Sequence, residues 1–244
     1  NIGDEYLGKG ELGEWRDTHM KIEGNAVLTL QSRFFMDWNA VAKEKNRKDY
    51  AEAYFPIADK KGNTAMQIVT SGPDDEDQTI KMGFLKMISQ AKESIYIQTP
   101  YFIPDESLHE MLKIAVLSGV KVKIMIPSKP DHPFVYRATE YFAKDIVEYG
   151  AEVYMYQNGF LHSKVMVVDD EIVSVGTANM DVRSFKLNFE INAFIYDRDV
   201  AEELIANFDE DQKNCIRATH DYFAKQSKWR KFKQAFSRLL SPIL

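Results

Sequence analysis

Short apolar runs alternate with amphipathic stretches through the middle of this chain, and that alternation constrains the fold more than any other feature. Residues 94–99, 120–126 and 151–156 have the length and composition of buried strands. Between them, residues 77–92, 105–117 and 134–149 place apolar side chains at helical spacing. In the first of these, Ile80, Phe84, Leu85, Ile88 and Ala91 share one face, and Asp105 stands where the second needs a cap. Two further apolar runs, 165–168 and 172–175, are joined by Asp169-Asp170-Glu171 and predict a hairpin. Residues 189–196 predict another strand, and the chain from Asp199 onward is predicted helical throughout. Strands alternating with helices imply an α/β layered domain.

The beginning of the chain is thinner. It carries Gly3, Gly8, Gly10 and Gly13, then a strand-like alternation at Ala26, Leu28 and Leu30, then a helix-like stretch at 34–38. Residues 43–67 are polar and mixed in charge and predict a linker, and Ser71-Gly72-Pro73-Asp74-Asp75 predicts a loop. The core domain is expected to begin near Met66. Of the 244 residues, 45% are hydrophobic and 28% charged, which excludes wholesale disorder. The single cysteine, Cys215, excludes an intramolecular disulfide and a cysteine-based zinc site. A net charge of -6 argues against a globally basic nucleic-acid binder. No apolar run approaches the length of a membrane span. The start, Asn1-Ile2-Gly3-Asp4, is not a signal peptide, and the chain reads as a piece of a longer protein.

The chemistry concentrates in His162-Ser163-Lys164, followed by Asp169 and then by Gly176-Thr177-Ala178-Asn179. On a strand, His162 and Lys164 would share a face. The hairpin would return Asn179 to their neighbourhood, so that an imidazole, an ammonium and an amide converge among apolar strands. Each group suits a phosphodiester. Lysine offers a localised charge to phosphoryl oxygens, and the Asn179 amide and Thr177 hydroxyl can donate to them. Histidine can attack phosphorus or protonate a leaving alkoxide. Such a site stabilises phosphoryl charge without a metal or cofactor. Each residue also has a plainer reading. Asp169 is an ordinary turn residue, Gly176 serves a tight turn, and a lone histidine or lysine is solvated surface.

Taken jointly, the pattern resembles the phospholipase D superfamily. His162, Lys164 and Asp169 match its histidine-lysine-aspartate motif, and Gly176, Thr177 and Asn179 match the element that trails it. The likeness extends over nearly the whole chain, including 99–105, 127–133, 179–184, 187–190 and 238–244, and within the superfamily it is to the bacterial cardiolipin synthases. It implies a layered α/β/α lobe with a mixed central sheet and a helical C-terminus. The family carries two such motifs in one chain, and this chain has one. Asn1 resembles the last asparagine of the first motif's trailing element. Residues 1–45 would then be a remnant of the first lobe, 46–67 a linker and 68–244 the second lobe.

The implied reaction joins two phosphatidylglycerols into cardiolipin and releases glycerol through a phosphohistidine. His162 would be the acid/base, Lys164 and Asn179 would hold phosphoryl oxygens, and Glu190 would orient a catalytic imidazole, or else be a polar residue on a solvent face. Asp169 belongs to the motif. Thr177 would contact substrate, and Tyr101 and Phe102 would line a lipid entrance or pack in the core. A phosphodiesterase or nuclease of the same superfamily, or a catalytically incomplete lipid- or phosphate-binding fragment, stands as the alternative. Implied partners are phosphatidylglycerol, an anionic membrane surface, and either an upstream half carrying the first motif or a second copy of the chain, at the cytoplasmic face of the cell membrane. Nucleic acid is not among them. The tail carries Lys225, Lys228, Arg230, Lys231, Lys233 and Arg238 without an acidic residue, interleaved with Trp229, Phe232, Phe236, Leu239, Leu240 and Ile243 at helical spacing. That predicts a basic amphipathic helix, whose apolar face meets either a membrane or the domain.

Overall fold

The computed structural model of the protein describes residues 3–57 and 62–241. In chain order the elements are β1 (Trp15–Arg16), α1 (Ala26–Val41), β2 (Ala65–Ser71), α2 (Thr79–Gln90), β3 (Ser94–Gln98), β4 (Phe102–Ile103) and α3 (Glu106–Leu117). There follow β5 (Lys121–Pro127), α4 (Pro133–Tyr149), β6 (Glu152–Tyr156), β7 (Phe160–Leu161), β8 (Val165–Val168), β9 (Ile172–Gly176) and β10 (Met180–Asp181). The chain ends with α5 (Val182–Lys186), β11 (Glu190–Tyr196), α6 (Arg198–Gln212), β12 (Cys215–Arg217), α7 (His220–Ala224) and α8 (Lys228–Leu239). Asp105 does cap α3, its side chain accepting from the Leu108 amide at 3.0 Å.

Eight strands form one mixed sheet in the order β12-β6-β5-β3-β8-β9-β11-β2. β3, β5 and β6 run parallel to their neighbours in that group, and the remaining pairings are antiparallel. Strand periodicity divides the side chains between two layers. On β8, Met166 and Val168 join the core under α2, α3 and α4, while Val165 and Val167 join the one under α6. Both faces are covered, which is why this strand reads as an unbroken apolar run.

Four local expectations are corrected. The alternation at Ala26, Leu28 and Leu30 belongs to helix α1, not to a strand. A helix satisfies its backbone internally, whereas a strand there would need a sheet edge to pair with. The tail is not helical throughout, because β12 pairs with β6. Three residues are too few to show a strand period, and the edge of β6 supplies the hydrogen bonds that decide the matter. The linker expected to end at 67 runs into β2, which begins at Ala65. Gly176 serves no turn: it closes β9 opposite Asn192, and a Cβ there would lie 2.3 Å from Ile191 O.

Residues 3–57 pack against the lobe by short contacts. β1 pairs in parallel with β7, and Arg16 reaches Asp211 at 2.9 Å, a carboxylate that also accepts from Gln98 at 2.9 Å. Phe35 is enclosed by Tyr50, Tyr54 and Phe55. The expectations placed on Asn1 and Ile243 lie outside the described residues.

Candidate active site

The hairpin register builds the site. Val165 faces Val175 and Met166 faces Ser174, so Lys164 and Thr177 meet at the same open end, where the Gly176 amide donates to Lys164 O at 3.3 Å. β11 lies along the other side of β9, and the Ile191 amide donates to Thr177 Oγ1 at 2.9 Å, which brings Glu190 to that end too. Asn179 follows in the turn toward β10, its Nδ2 donating to Asp181 Oδ2 at 3.1 Å. His162, Lys164, Thr177, Asn179 and Glu190 thereby line one open cleft of about 580 Å³. His162 and Lys164 do not share a strand face as expected. They sit in the gap between β7 and β8, where the His162 amide donates to Arg16 O of β1 and the Lys164 ammonium turns back to His162 O.

His162 is held on three sides. Its amide donates to Arg16 O at 2.8 Å, its ring lies 4.7 Å from that of Trp15, and its Nδ1 lies 3.0 Å from Asp17 Oδ2. Tyr6 donates its hydroxyl to the same Asp17 oxygen at 3.2 Å, with that hydroxyl 3.1 Å from Nδ1. A carboxylate at Nδ1 fixes the tautomer and leaves Nε2 as the ring nitrogen free to exchange a proton with a ligand. Burial pushes the Asp17 carboxyl up, but hydrogen bonds from His162 and the Thr18 amide, with the charges of Lys164 and His162, outweigh it. The carboxyl ends below its usual range and stays ionised. The Tyr6 hydroxyl moves up, through burial first and Asp17 second, and keeps its proton.

Lys164 donates to His162 O at 2.6 Å. Burial pulls its pKa down to about 8, partly offset by the carboxylates of Asp17, Glu190, Asp181 and Asp131. Asp181 is buried, which pushes its pKa up to about 6 despite hydrogen bonds from the Ser184 amide and Asn179. Among the described residues no three His, Cys, Asp or Glu side chains are grouped as metal ligands.

The family model described as "Cardiolipin synthase, PLD-like domain" matches residues 84–212 of this chain. The chain belongs to the cardiolipin synthase, phospholipase D-like domain family. A cardiolipin synthase of Listeria welshimeri is 58% identical over the whole of this chain, which spans 51% of that relative. The chain thus covers about half the length of the curated relative it matches. The fold agrees with the crystal structure of phosphatidylserine synthase from Haemophilus influenzae, at TM-score 0.69 and 16% identity, over 100% of this chain and 67% of that one. A phospholipase D family member from Salmonella typhimurium, Nuc, matches at TM-score 0.56 and 21% identity, over 64% of this chain and 99% of that one.

Not every residue singled out from the family motif reaches the cleft. Asp169 lies at the other end of β8, where its carboxylate accepts from the amides of Lys92, Glu93 and Ser94 at 2.7, 2.8 and 2.9 Å. It is a clamp between the hairpin turn and the start of β3, with a left-handed φ of 52°. Phe102 is wholly buried in the core, and the Tyr101 hydroxyl donates to Asp131. Glu190 accepts from Thr177 Oγ1 and, at 3.0 Å, from Asn188 Nδ2, while the carboxylate at the His162 ring is Asp17. The family motif led to His162 but missed its partners Tyr6, Trp15 and Asp17. Trp15 and Asp17 were signalled only by a run of chemistry-bearing residues, Trp15-Arg16-Asp17-Thr18-His19, and Tyr6, nine residues earlier, by nothing in the sequence.

Proposed function

We propose that this chain supplies one half of a two-histidine site that makes cardiolipin from two phosphatidylglycerols and releases glycerol. The observation that carries the reading is the Asp17–His162 pair at 3.0 Å in the same cleft as Lys164, Thr177, Asn179 and Glu190. A histidine tied to a carboxylate through Nδ1 is built to move a proton at Nε2. Lys164 and Asn179 bind the phosphoryl oxygens, while Thr177, whose one hydroxyl proton goes to Glu190, holds that carboxylate at the edge of the phosphoryl site.

In the first step, an imidazole from an upstream half attacks phosphorus. The P–O bond to glycerol breaks, and protonated His162 gives its Nε2 proton to the departing alkoxide. In the second step, His162 takes a proton from the hydroxyl of another phosphatidylglycerol. The oxygen attacks phosphorus, the P–N bond breaks, and the first imidazole is released. Glu190, placed in the cleft but apart from His162, holds that second imidazole. The upstream half, or a second copy of this chain, completes the site at the cytoplasmic face of the membrane.

The test is phosphatidyl transfer on phosphatidylglycerol vesicles, with this chain alone and mixed with the upstream half. Activity in the mixture that is lost with His162→Ala supports the reading. Full activity with His162→Ala overturns it, and activity from the chain alone replaces the upstream half with a second copy.

A further inference from the structure

Helix α8 sits on the lobe with its polar side inward. Gln234 and Ser237 are 2% and 1% exposed, whereas Trp229, Phe232, Phe236 and Leu239 are 63%, 59%, 49% and 71% exposed. The inward side is held by polar contacts. Gln234 donates to Glu140 Oε2 at 3.1 Å and to Gln226 Oε1 at 2.9 Å, and Arg230 reaches Glu140 Oε2 at 3.3 Å. Glu140 is 1% exposed, so the carboxylate under the helix is satisfied by the helix itself. An amphipathic helix that merely covered the domain would turn its apolar stripe inward, where burial is favourable.

The outward stripe is continuous, since positions 229, 232, 236 and 239 recur at three- and four-residue intervals. The Trp229 and Phe232 rings stack at 5.5 Å, and Lys233 Nζ lies 5.1 Å from the Trp229 ring. Lys228 and Lys233 flank this stripe on the helix, and residues 222–244 contain no acidic side chain. Aromatics flanked by lysines, on a helix lying flat on the surface, complement the boundary of an anionic bilayer. No helix among the described residues is long and apolar enough to cross a membrane, so contact through α8 is contact in the interface plane.

We propose that the outward face of α8 docks on an anionic phospholipid bilayer, the aromatic stripe entering the interface and the lysines meeting the headgroups. The proposal rests on the phospholipid reading above only for the choice of vesicle. The test is sedimentation of the whole chain with vesicles of phosphatidylcholine, with and without phosphatidylglycerol. The chain is expected to bind the anionic vesicles, to release in salt and to bind neutral vesicles far less. Replacing Trp229→Ser and Phe232→Ser together should weaken binding about tenfold or more, as the apolar area lost dictates. Leu117→Ser, an exposed leucine on α3, should leave binding unchanged. His162→Ala should sediment like the wild type, which separates docking from turnover. Binding that survives loss of the stripe, that does not distinguish the two vesicles, or that disappears with His162→Ala overturns the proposal. So does a dimer that dissolves on Phe232→Ser while vesicle binding persists.

Discussion

Asp17 and His162 are 145 residues apart in sequence, yet their 3.0 Å contact fixes which imidazole nitrogen faces the cleft. Replacing Asp17→Asn keeps the shape but exchanges an acceptor-only carboxylate for a neutral amide that can also donate, so the tautomer is no longer selected. The expected result is a fall in kcat of about 10²- to 10⁴-fold with little change in KM, measured as phosphatidyl transfer by the completed enzyme. An unchanged kcat would show that the contact only fastens the segment. Lys164 gives a second prediction. Its folded pKa of about 8 lies below the ordinary 10.5, because burial disfavours the ammonium. The folded state therefore loses its proton first, and stability rises as pH climbs from about 8 to 10.5. Phosphate binding moves the other way and weakens above pH 8 as the charge is lost. Lys164→Met should bind inorganic phosphate weakly at every pH, with that limb of the titration absent.

At the scale of elements, the pairing of β1 with β7 delivers Tyr6, Trp15 and Asp17 to the histidine. Gly159 permits it. It has φ 102°, and a Cβ there would lie 2.0 Å from Glu14 O. Gly159→Ala should therefore lower activity as Asp17→Asn does and, in addition, expose the first residues to limited proteolysis, a change that Asp17→Asn alone should not cause. Helix α8 has its own anchor in Arg230 and the buried Glu140. Arg230→Met leaves that carboxylate without its cation and should cost about 3 kcal/mol in urea unfolding, whereas adding Glu140→Gln should recover part of the loss. Equal stabilities for all three proteins would mean that the ion pair contributes nothing net.

Across the whole molecule, residues 3–57 leave much apolar surface uncovered. Leu7, Phe34, Met36, Trp38 and Val41 are exposed, and α1 rests on the lobe chiefly against β2. Apolar surface clustered along one helix favours association. The chain alone should show a concentration-dependent mass by light scattering, and Phe34→Ser with Val41→Ser should shift it toward the monomer. A strictly monomeric wild-type chain would show that these side chains are tolerated in water.

How much could be read before folding depended on the distance between partners. The strand–helix alternation, the hairpin and the trio of His162, Lys164 and Asn179 were legible, because helices, tight turns and short motifs are written in neighbouring residues. The clamp made by Asp169 was half-legible, since a turn aspartate is common but its three amide partners lie more than seventy residues upstream. The sheet order, the small strands β7, β10 and β12, the buried state of Phe102, the outward stripe of α8 and the pairing of Asp17 with His162 were not legible. Each depends on which surfaces meet once the chain has collapsed, and side-chain periodicity encodes that a face is apolar, not what will cover it. Sequence alone determined the strand–helix alternation between residues 77 and 196 and the chemistry at hand, since those follow from local sterics and residue type, but not the helix at Ala26–Val41 or the edge strand at Cys215–Arg217. Tertiary structure alone decided which carboxylate serves which histidine and which side of the last helix faces water, since burial and long-range hydrogen bonds are properties of the assembled fold.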